Sequence, residues 1–428
     1  MRNGTIKVEE FPTDKIPFKC NFSIESNKVT SFTHGYLKYP CKFIPHIPRW
    51  AIKRYATGSD EVILDPFVGS GTTLVEAAIA GKTALGIDFD PLSRLLAKVK
   101  STPLPISKIY KLKIDLSRLL TRTRKLKGDL PVPKIPNIDL WFSKKTIDEL
   151  SRIKQIIEDY YNENNDKDIR DFLLIAFASI IRKVSFAENQ SPKPYVSKKI
   201  KKVPKSVFPT FVNTVDNNLE KMIEFTKVAK SEGGIIIGDD AREINKNQIK
   251  KFSPEGIDLA ITSPPYINAF DYVRSLKLEN FWLGFVDNEI IKELKKKQIG
   301  TEFISNEKYK CELPETGNIR LDNIIKKIYK VDKKRAYVVL KYFNDMKINI
   351  EQVFNNLKDG GFYCIVVGDS KIRGVIVPTH EILIDISREI GFDLDCLFSY
   401  TIKNRYLRFP RQGKGGLIEK DWIFALKK

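Results

Sequence analysis

The hydrophobic and polar positions of this chain change their period twice along its length. Residues 45–57 carry helical spacing and run into a Gly58-Ser59-Asp60 turn. A short apolar run, Val62-Ile63-Leu64, then stops at Asp65-Pro66 and gives way to Phe67-Val68-Gly69-Ser70-Gly71-Thr72-Thr73. Helical spacing returns from Thr72 to Ala80. A second apolar run, Thr83 to Ile87, stops at Asp88, and Pro91 opens another helix. Short apolar runs bounded by turn residues predict strands. Strand, glycine loop, helix, strand, acid, helix is the opening of a doubly wound α/β sheet.

The character changes from about 101 to 232. This stretch contains two proline groups, Pro103 with Pro105 and Pro131, Pro133 with Pro136, and is otherwise mostly of helical period, as in Ile147 to Tyr161 and Ile169 to Val184. It predicts a largely helical insert. The α/β pattern resumes with apolar runs at Gly234 to Ile237 and Ile257 to Thr262. A long helix over roughly 333–357 leads into Gly360-Gly361 and a strand from Phe362 to Val367. Asp393 to Ile402 and Asp421 to Leu426 are spaced as an antiparallel hairpin closing the sheet. The expected fold is therefore a Rossmann-like sheet with a closing hairpin and a helical insert. Its organisation is an N-terminal part over 1–100, the insert over 101–232 and a C-terminal part over 233–428.

Charge adds the class of partner. Lys and Arg number 73 against 53 Asp and Glu, a net charge of +20 over 428 residues. A surplus of that size points to a polyanion, nucleic acid before a membrane surface. No apolar run approaches the ~20 residues of a membrane span, and Met1 to Thr5 opens no export signal, so a cytoplasmic location is expected. The cysteines, at 20, 41, 311, 364 and 396, are scattered, and His34, His46 and His380 complete no metal-ligand spacing. Neither a disulfide framework nor a metal site is expected.

Two loops carry the candidate chemistry. A Walker loop would need glycine five residues before Gly81-Lys82-Thr83, where Glu76 stands; a dinucleotide fingerprint would need a small residue where Leu74 stands. Gly69 and Gly71 still allow a ligand close to the backbone at the end of the first strand. Asp88, ending the next strand, offers two oxygens to a ribose diol. A nucleoside cofactor without a pyrophosphate suits these residues, and S-adenosylmethionine is the common one. The second loop is Thr262-Ser263-Pro264-Pro265-Tyr266. Two prolines cannot continue a central strand, so the chain turns out at the carboxyl edge, where open α/β sheets bind ligands.

Asp65 to Thr73 taken with Thr262 to Tyr266 resembles the DNA amino-methyltransferases, which methylate the exocyclic nitrogen of cytosine or adenine with S-adenosylmethionine. His34-Gly35-Tyr36 through Lys42-Phe43-Ile44-Pro45 is similar to the family's cofactor-side motif. Gly238-Asp239-Asp240-Ala241-Arg242 resembles its third motif, and Leu357 to Val367 its sixth. The resemblance implies cofactor contacts at Lys42, Phe43, Asp65, Phe67, Gly69, Gly71, Thr72, Asp88, Asp240 and Ala241. It implies a catalytic loop of Ser263, Pro264, Pro265 and Tyr266. There the Ser263 hydroxyl and the Pro264 carbonyl accept the amine's hydrogens, and Tyr266 stacks on a base flipped out of the duplex. Serine at the head of this motif resembles the N4-cytosine branch. Enzymes of this serine type often place the catalytic motif before the glycine loop; here the order is reversed, as in a permuted relative.

Implied partners are double-stranded DNA and a cognate restriction endonuclease, in a restriction–modification system. Candidate phosphate-binding residues are Lys193, Lys198, Lys199, Lys201 and Lys202 in one basic loop, and Arg405, Arg408 and Arg411 in another. The helical insert is a candidate target-recognition region. The Trp141-Phe142 pair is expected in the core. Competing readings are an N6-adenine enzyme, an RNA base methyltransferase, and a silent nucleic-acid-binding protein that kept the fold.

Overall fold

The structure is a computed structural model. It describes residues 4–26, 29–126, 128–189, 191–199, 201–267, 271–304, 313–403 and 418–428. Among them, eleven strands form: β1 (Ile6–Val8), β2 (Asn21–Ile24), β3 (Val62–Asp65), β4 (Thr83–Ile87), β5 (Gly234–Gly238), β6 (Ile257–Thr262), β7 (Leu357–Val367), β8 (Ser370–Ile372), β9 (Val375–Val377), β10 (Asp393–Thr401) and β11 (Lys420–Lys427). Nine build one sheet in the order β1-β2-β10-β11-β7-β6-β3-β4-β5, and β8 pairs only with β9. β7, β6, β3, β4 and β5 run parallel. β11 is antiparallel to both β7 and β10, which is the expected closing hairpin.

The middle positions of the central strands β3 and β6 are apolar, because helices cover both faces of a parallel sheet. Val62, Ile63, Leu64, Leu259, Ala260 and Ile261 are all 1% exposed or less. The helix after β3 spans Thr72–Ala80, as its spacing predicts, and the earlier helix is His46–Tyr55, two residues shorter than predicted at its end. Ala56 leaves the helical conformation there, with φ −128° and ψ 68°.

The insert is helical, with Ile106–Lys125, Ile138–Trp141, Lys144–Asn164, Lys167–Val184 and Val207–Val228. Its apolar side packs into a cluster that also takes in Leu92, Leu96 and Val99 of the helix Pro91–Ser101. Leu278, Phe281 and Trp282 of the helix Lys277–Leu283 join the same cluster. Trp141 and Phe142 lie in this core, and the Phe142 and Trp282 rings meet edge to face at 5.7 Å. The insert thus shares its core with the segments on either side.

The sheet order makes the site. β3 and β6 are neighbours, with Ile63 opposite Leu259 and Leu64 opposite Ala260. The glycine loop after β3, Asp88 after β4, Asp240 after β5 and Ser263 after β6 therefore emerge side by side at one edge. Among the described residues, no helix is long and apolar enough to cross a membrane, and no cluster of three metal-ligating side chains occurs.

Candidate active site

A cleft opens at this carboxyl edge, where open α/β sheets bind their ligands. Its wall includes Lys42, Phe43, Phe67, Gly69, Thr72, Asp88, Asp240 and Ala241 from the cofactor-side set, and Ser263 and Pro265 from the catalytic loop. Segments far apart in sequence are thus brought to one cavity.

The glycine loop has two uses for its glycines. Gly69 (φ 45°) and Gly71 (φ 77°) both adopt left-handed backbone, which L side chains resist. A Cβ on Gly71 would come within 2.6 Å of the Ala97 Cα, so Gly71 lets the loop lie against the helix Pro91–Ser101. Gly71 stands behind the cleft wall rather than in it. The buried Lys100 donates to the Ser70 carbonyl from below and holds the loop down.

Asp88 both anchors the loop and faces the cleft. Its Oδ2 accepts from the Gly69 N–H at 2.8 Å and its Oδ1 from the Asp90 N–H at 2.9 Å. Each oxygen keeps a second lone pair for a ligand. Burial pushes its carboxyl up to about 7, the two backbone donors pull against that, and the nearby Asp90 charge adds to it. Asp90 caps the helix Pro91–Ser101 through the Ser93 N–H and accepts from the Asn280 amide at 2.9 Å.

Asp65 departs from the expectation of a cofactor contact. It is 1% exposed and its oxygens accept from Phe67 N–H (3.1 Å), Thr262 Oγ1 (2.7 Å) and Thr73 Oγ1 (2.6 Å). Its carboxylate lies under the cleft and ties the end of β3 to the end of β6 and to the helix after the loop. Strand side chains alternate between the two faces of the sheet, and Asp65 falls on a position that turns to Thr73 and Thr262. Burial raises this carboxyl to about 6 against the pull of those donors.

The upstream motif rests on a buried ion network. Glu76 accepts from His34 Nε2 at 2.9 Å, from Arg49 Nε at 2.9 Å and from Arg49 Nη2 at 3.1 Å. Burial pushes Glu76 up, but His34 and Arg49 hold it below the usual carboxylate range. Burial pushes His34 down to about 4, so it serves as a neutral donor. Lys42 donates to the His34 carbonyl at 2.8 Å, and burial brings its ammonium down to about 8. On the far wall, Asp240 is gripped by Arg242 at 2.7 Å and 2.9 Å, and Arg242 is held in turn by Asp345 at 3.1 Å. Arg242 keeps Asp240 below its ordinary value although burial opposes this.

In the loop after β6 Ser263 is half-buried on the cleft wall, and Pro264 is buried. The Tyr266 ring is half-buried and its hydroxyl donates to Asp421 Oδ1 at 3.0 Å. The cleft also includes Tyr39, Cys41, Phe89, Tyr272, Lys297 and Ile299, which sequence reasoning missed. Tyr39 and Cys41 lie inside the His34–Pro45 motif and were legible there; Lys297 and Ile299 carry no local signal.

The basic loop is divided. Lys198, Lys199 and Lys201 are exposed. Lys202 is not available to phosphate: its ammonium donates to the Arg182 and Ala187 carbonyls and to Asn189 Oδ1, pinning the loop to the end of the helix Lys167–Val184. A lysine half-buried among carbonyl oxygens has its donors spent. Lys193 is partly buried in the same loop. Arg405, Arg408 and Arg411 lie outside the described residues.

The family model described as DNA methylase matches residues 14–96, which hold the upstream motif, the glycine loop and Asp88. The Type II methyltransferase M.MvaI of Kocuria varians is 26% identical over 423 residues, covering 93% of this chain and 90% of that protein. The Type II methyltransferase M.BsoBI of Geobacillus stearothermophilus is 24% identical, over 92% of this chain and 85% of that one. The Type II methyltransferase M.MjaII of Methanocaldococcus jannaschii is 28% identical over 60% of this chain and 64% of its own. The glycine loop and the Ser263 loop stand on adjacent strands, and these likenesses support a resemblance of the chain to the S-adenosylmethionine-dependent DNA amino-methyltransferases of the N4/N6 family.

Proposed function

We propose that this protein transfers a methyl group to the exocyclic N4 of cytosine in duplex DNA, as the modification enzyme of a restriction–modification system. One observation carries the reading: Ser263 lines the same cleft as Gly69 and Asp88. The donor set suits the cofactor. Asp88 keeps free lone pairs for a ribose diol, Phe43 and Phe67 give apolar flanks, and Asp240 and Ala241 close the far side. When bound, S-adenosylmethionine supplies an electrophilic methyl group on a positively charged sulfur.

The chain's own residues then act on the base. A cytosine amine is a poor nucleophile because its lone pair is delocalised into the ring. The Ser263 hydroxyl and the Pro264 carbonyl accept its two hydrogens, which favours a pyramidal nitrogen with its lone pair free. Tyr266 stacks on the flipped base and Pro265 fixes the loop. Acceptors held ready cost no reorganisation at the moment of reaction, so in this reading much of the acceleration is positioning. The insert over 101–232, with the exposed Lys198, Lys199 and Lys201, is the proposed target-recognition and backbone-binding region.

Serine supports cytosine through the resemblance alone; as an acceptor it could equally hold the N6 amine of adenine, the second reading. Nucleoside mass spectrometry of DNA methylated with labelled cofactor tests the proposal. Label in N4-methylcytosine is expected. Label in N6-methyladenine would move the assignment to adenine, and label only in RNA would overturn the substrate. Ser263→Ala is expected to bind cofactor as the parent does and lose most turnover, because its acceptor matters chiefly at the transition state. Parent-rate turnover would remove Ser263 from the mechanism.

A further inference from the structure

Stacking on a base requires an aromatic ring and no hydroxyl, yet the Tyr266 hydroxyl is held. Asp421, at the start of β11, is 5% exposed. Its Oδ1 accepts from Tyr266 at 3.0 Å and its Oδ2 from Tyr400 at 3.0 Å. Among the described residues it forms no ion pair, so a carboxylate has been buried between two hydroxyls. Such burial is costly unless the group is fully hydrogen-bonded, and two phenols answer its two oxygens.

The backbone makes room for this arrangement. Gly368, just beyond the end of β7, touches both members: an added Cβ would stand 3.2 Å from the Tyr266 ring and 3.0 Å from Asp421 Oδ1. Ile418 closes the same spot, 2.6 Å from that position. Glycine here lets strand end, ring and carboxylate converge. Three elements far apart in sequence, the loop after β6, the end of β7 and the hairpin β10–β11, thus meet at one tyrosine.

We propose that Asp421 is a positioning residue for methyl transfer: by accepting the Tyr266 hydroxyl it fixes the tilt and height of the ring on which the target base lies. The proposal rests on the reading of Tyr266 as the base platform. Tyr400 completes the hydrogen bonding of the carboxylate and holds it toward Tyr266. The ring is thereby tied to the sheet itself, so its orientation does not depend on the loop that carries it.

The test compares Tyr266→Phe, Tyr266→Ala, Asp421→Leu, Asp421→Asn and the double variant Tyr266→Phe with Asp421→Leu. Steady-state kcat and KM for DNA, cofactor affinity by calorimetry and melting temperature are measured for each. Loss of one hydrogen bond to a buried carboxylate is expected to lower kcat by about tenfold to a hundredfold in Tyr266→Phe, with cofactor affinity unchanged. Asp421→Leu should match it, and the double variant should be no slower than either single one. Asp421→Asn, whose carboxamide oxygen still accepts from one hydroxyl, should recover part of the rate. Parent-rate turnover by Tyr266→Phe while Tyr266→Ala collapses would overturn the role of Asp421 and leave the platform standing. Parent-rate turnover by Tyr266→Ala would overturn both. Tyr266→Phe leaves Asp421 and Tyr400 in place, so the test holds even if Asp421→Leu does not fold.

Discussion

Lowering the pH from 8 to 6 is expected to weaken S-adenosylmethionine binding about tenfold, through Asp88. In the proposed reading its carboxylate accepts from the ribose hydroxyls. Burial raises that carboxyl to about 7, so it is about nine-tenths ionised at pH 8 and about one-tenth at pH 6. Only the ionised form offers both acceptors, so affinity is present above 7 and lost as pH falls through it. The contribution of Asp88 to folding runs the other way. Its folded value lies above the unfolded one, so the folded state holds the proton more tightly, and this stabilisation is present at acid pH and lost as pH rises through 7. Asp88 therefore does not unfold the protein at pH 6, and a weaker affinity there reports the site. Calorimetry at pH 6, 7 and 8 would measure it, with about half a proton released per cofactor at pH 7. Asp88→Asn should bind about 1.5–3 kcal/mol more weakly than the parent does at pH 8, the scale of a hydrogen bond to a charged group. Its affinity should be the same at all three values. A parent affinity that is flat across this range, or an Asn variant with the parent's slope, would refute the assignment.

Glu76→Leu leaves Arg49 and His34 facing an apolar group, and should cost about 3 kcal/mol of stability in urea unfolding, the low end for breaking a buried pair because Arg49 keeps Glu10 at its other face. Neutralising Lys198, Lys199 and Lys201 together should flatten the salt dependence of DNA binding by about one unit of slope for each phosphate left without its lysine. An unchanged slope would put the DNA elsewhere. Lys202→Met should instead lower the melting temperature, because its ammonium is bonded to the insert's own carbonyls.

The sheet was legible in the sequence where apolar runs end on an acid or a proline. Val62 to Asp65, Thr83 to Asp88 and Ile257 to Pro265 each mark a strand and its exit, because charge and missing N–H groups cannot continue inside a parallel sheet. β1 and β2 escaped notice because three or four residues hold too little pattern to read. Their place in the sheet is decided by Ser399 and Tyr400, which pair with Asn21 and Phe22. The site was legible in its glycines and its Ser-Pro-Pro-Tyr loop. What stayed hidden was direction: Asp65 is the last residue of β3 and Asp88 the first beyond β4, and one carboxylate lies beneath the cleft while the other faces it. The far wall, Tyr272, Lys297 and Ile299, is assembled by packing that no local spacing records.

The sheet order also dictates how the chain must be made. β2 is paired through Asn21 to Ser399, 378 residues later, and β3 joins β6 only once the whole helical insert has been made. A ribosome delivers β2 long before β10, its partner in the sheet. Until then the first strands have open edges, and such edges invite pairing with other chains. A topology so rich in distant pairings folds slowly. A chain cut short before β10 would therefore lack both the platform's anchor at Asp421 and the neighbour that β2 needs.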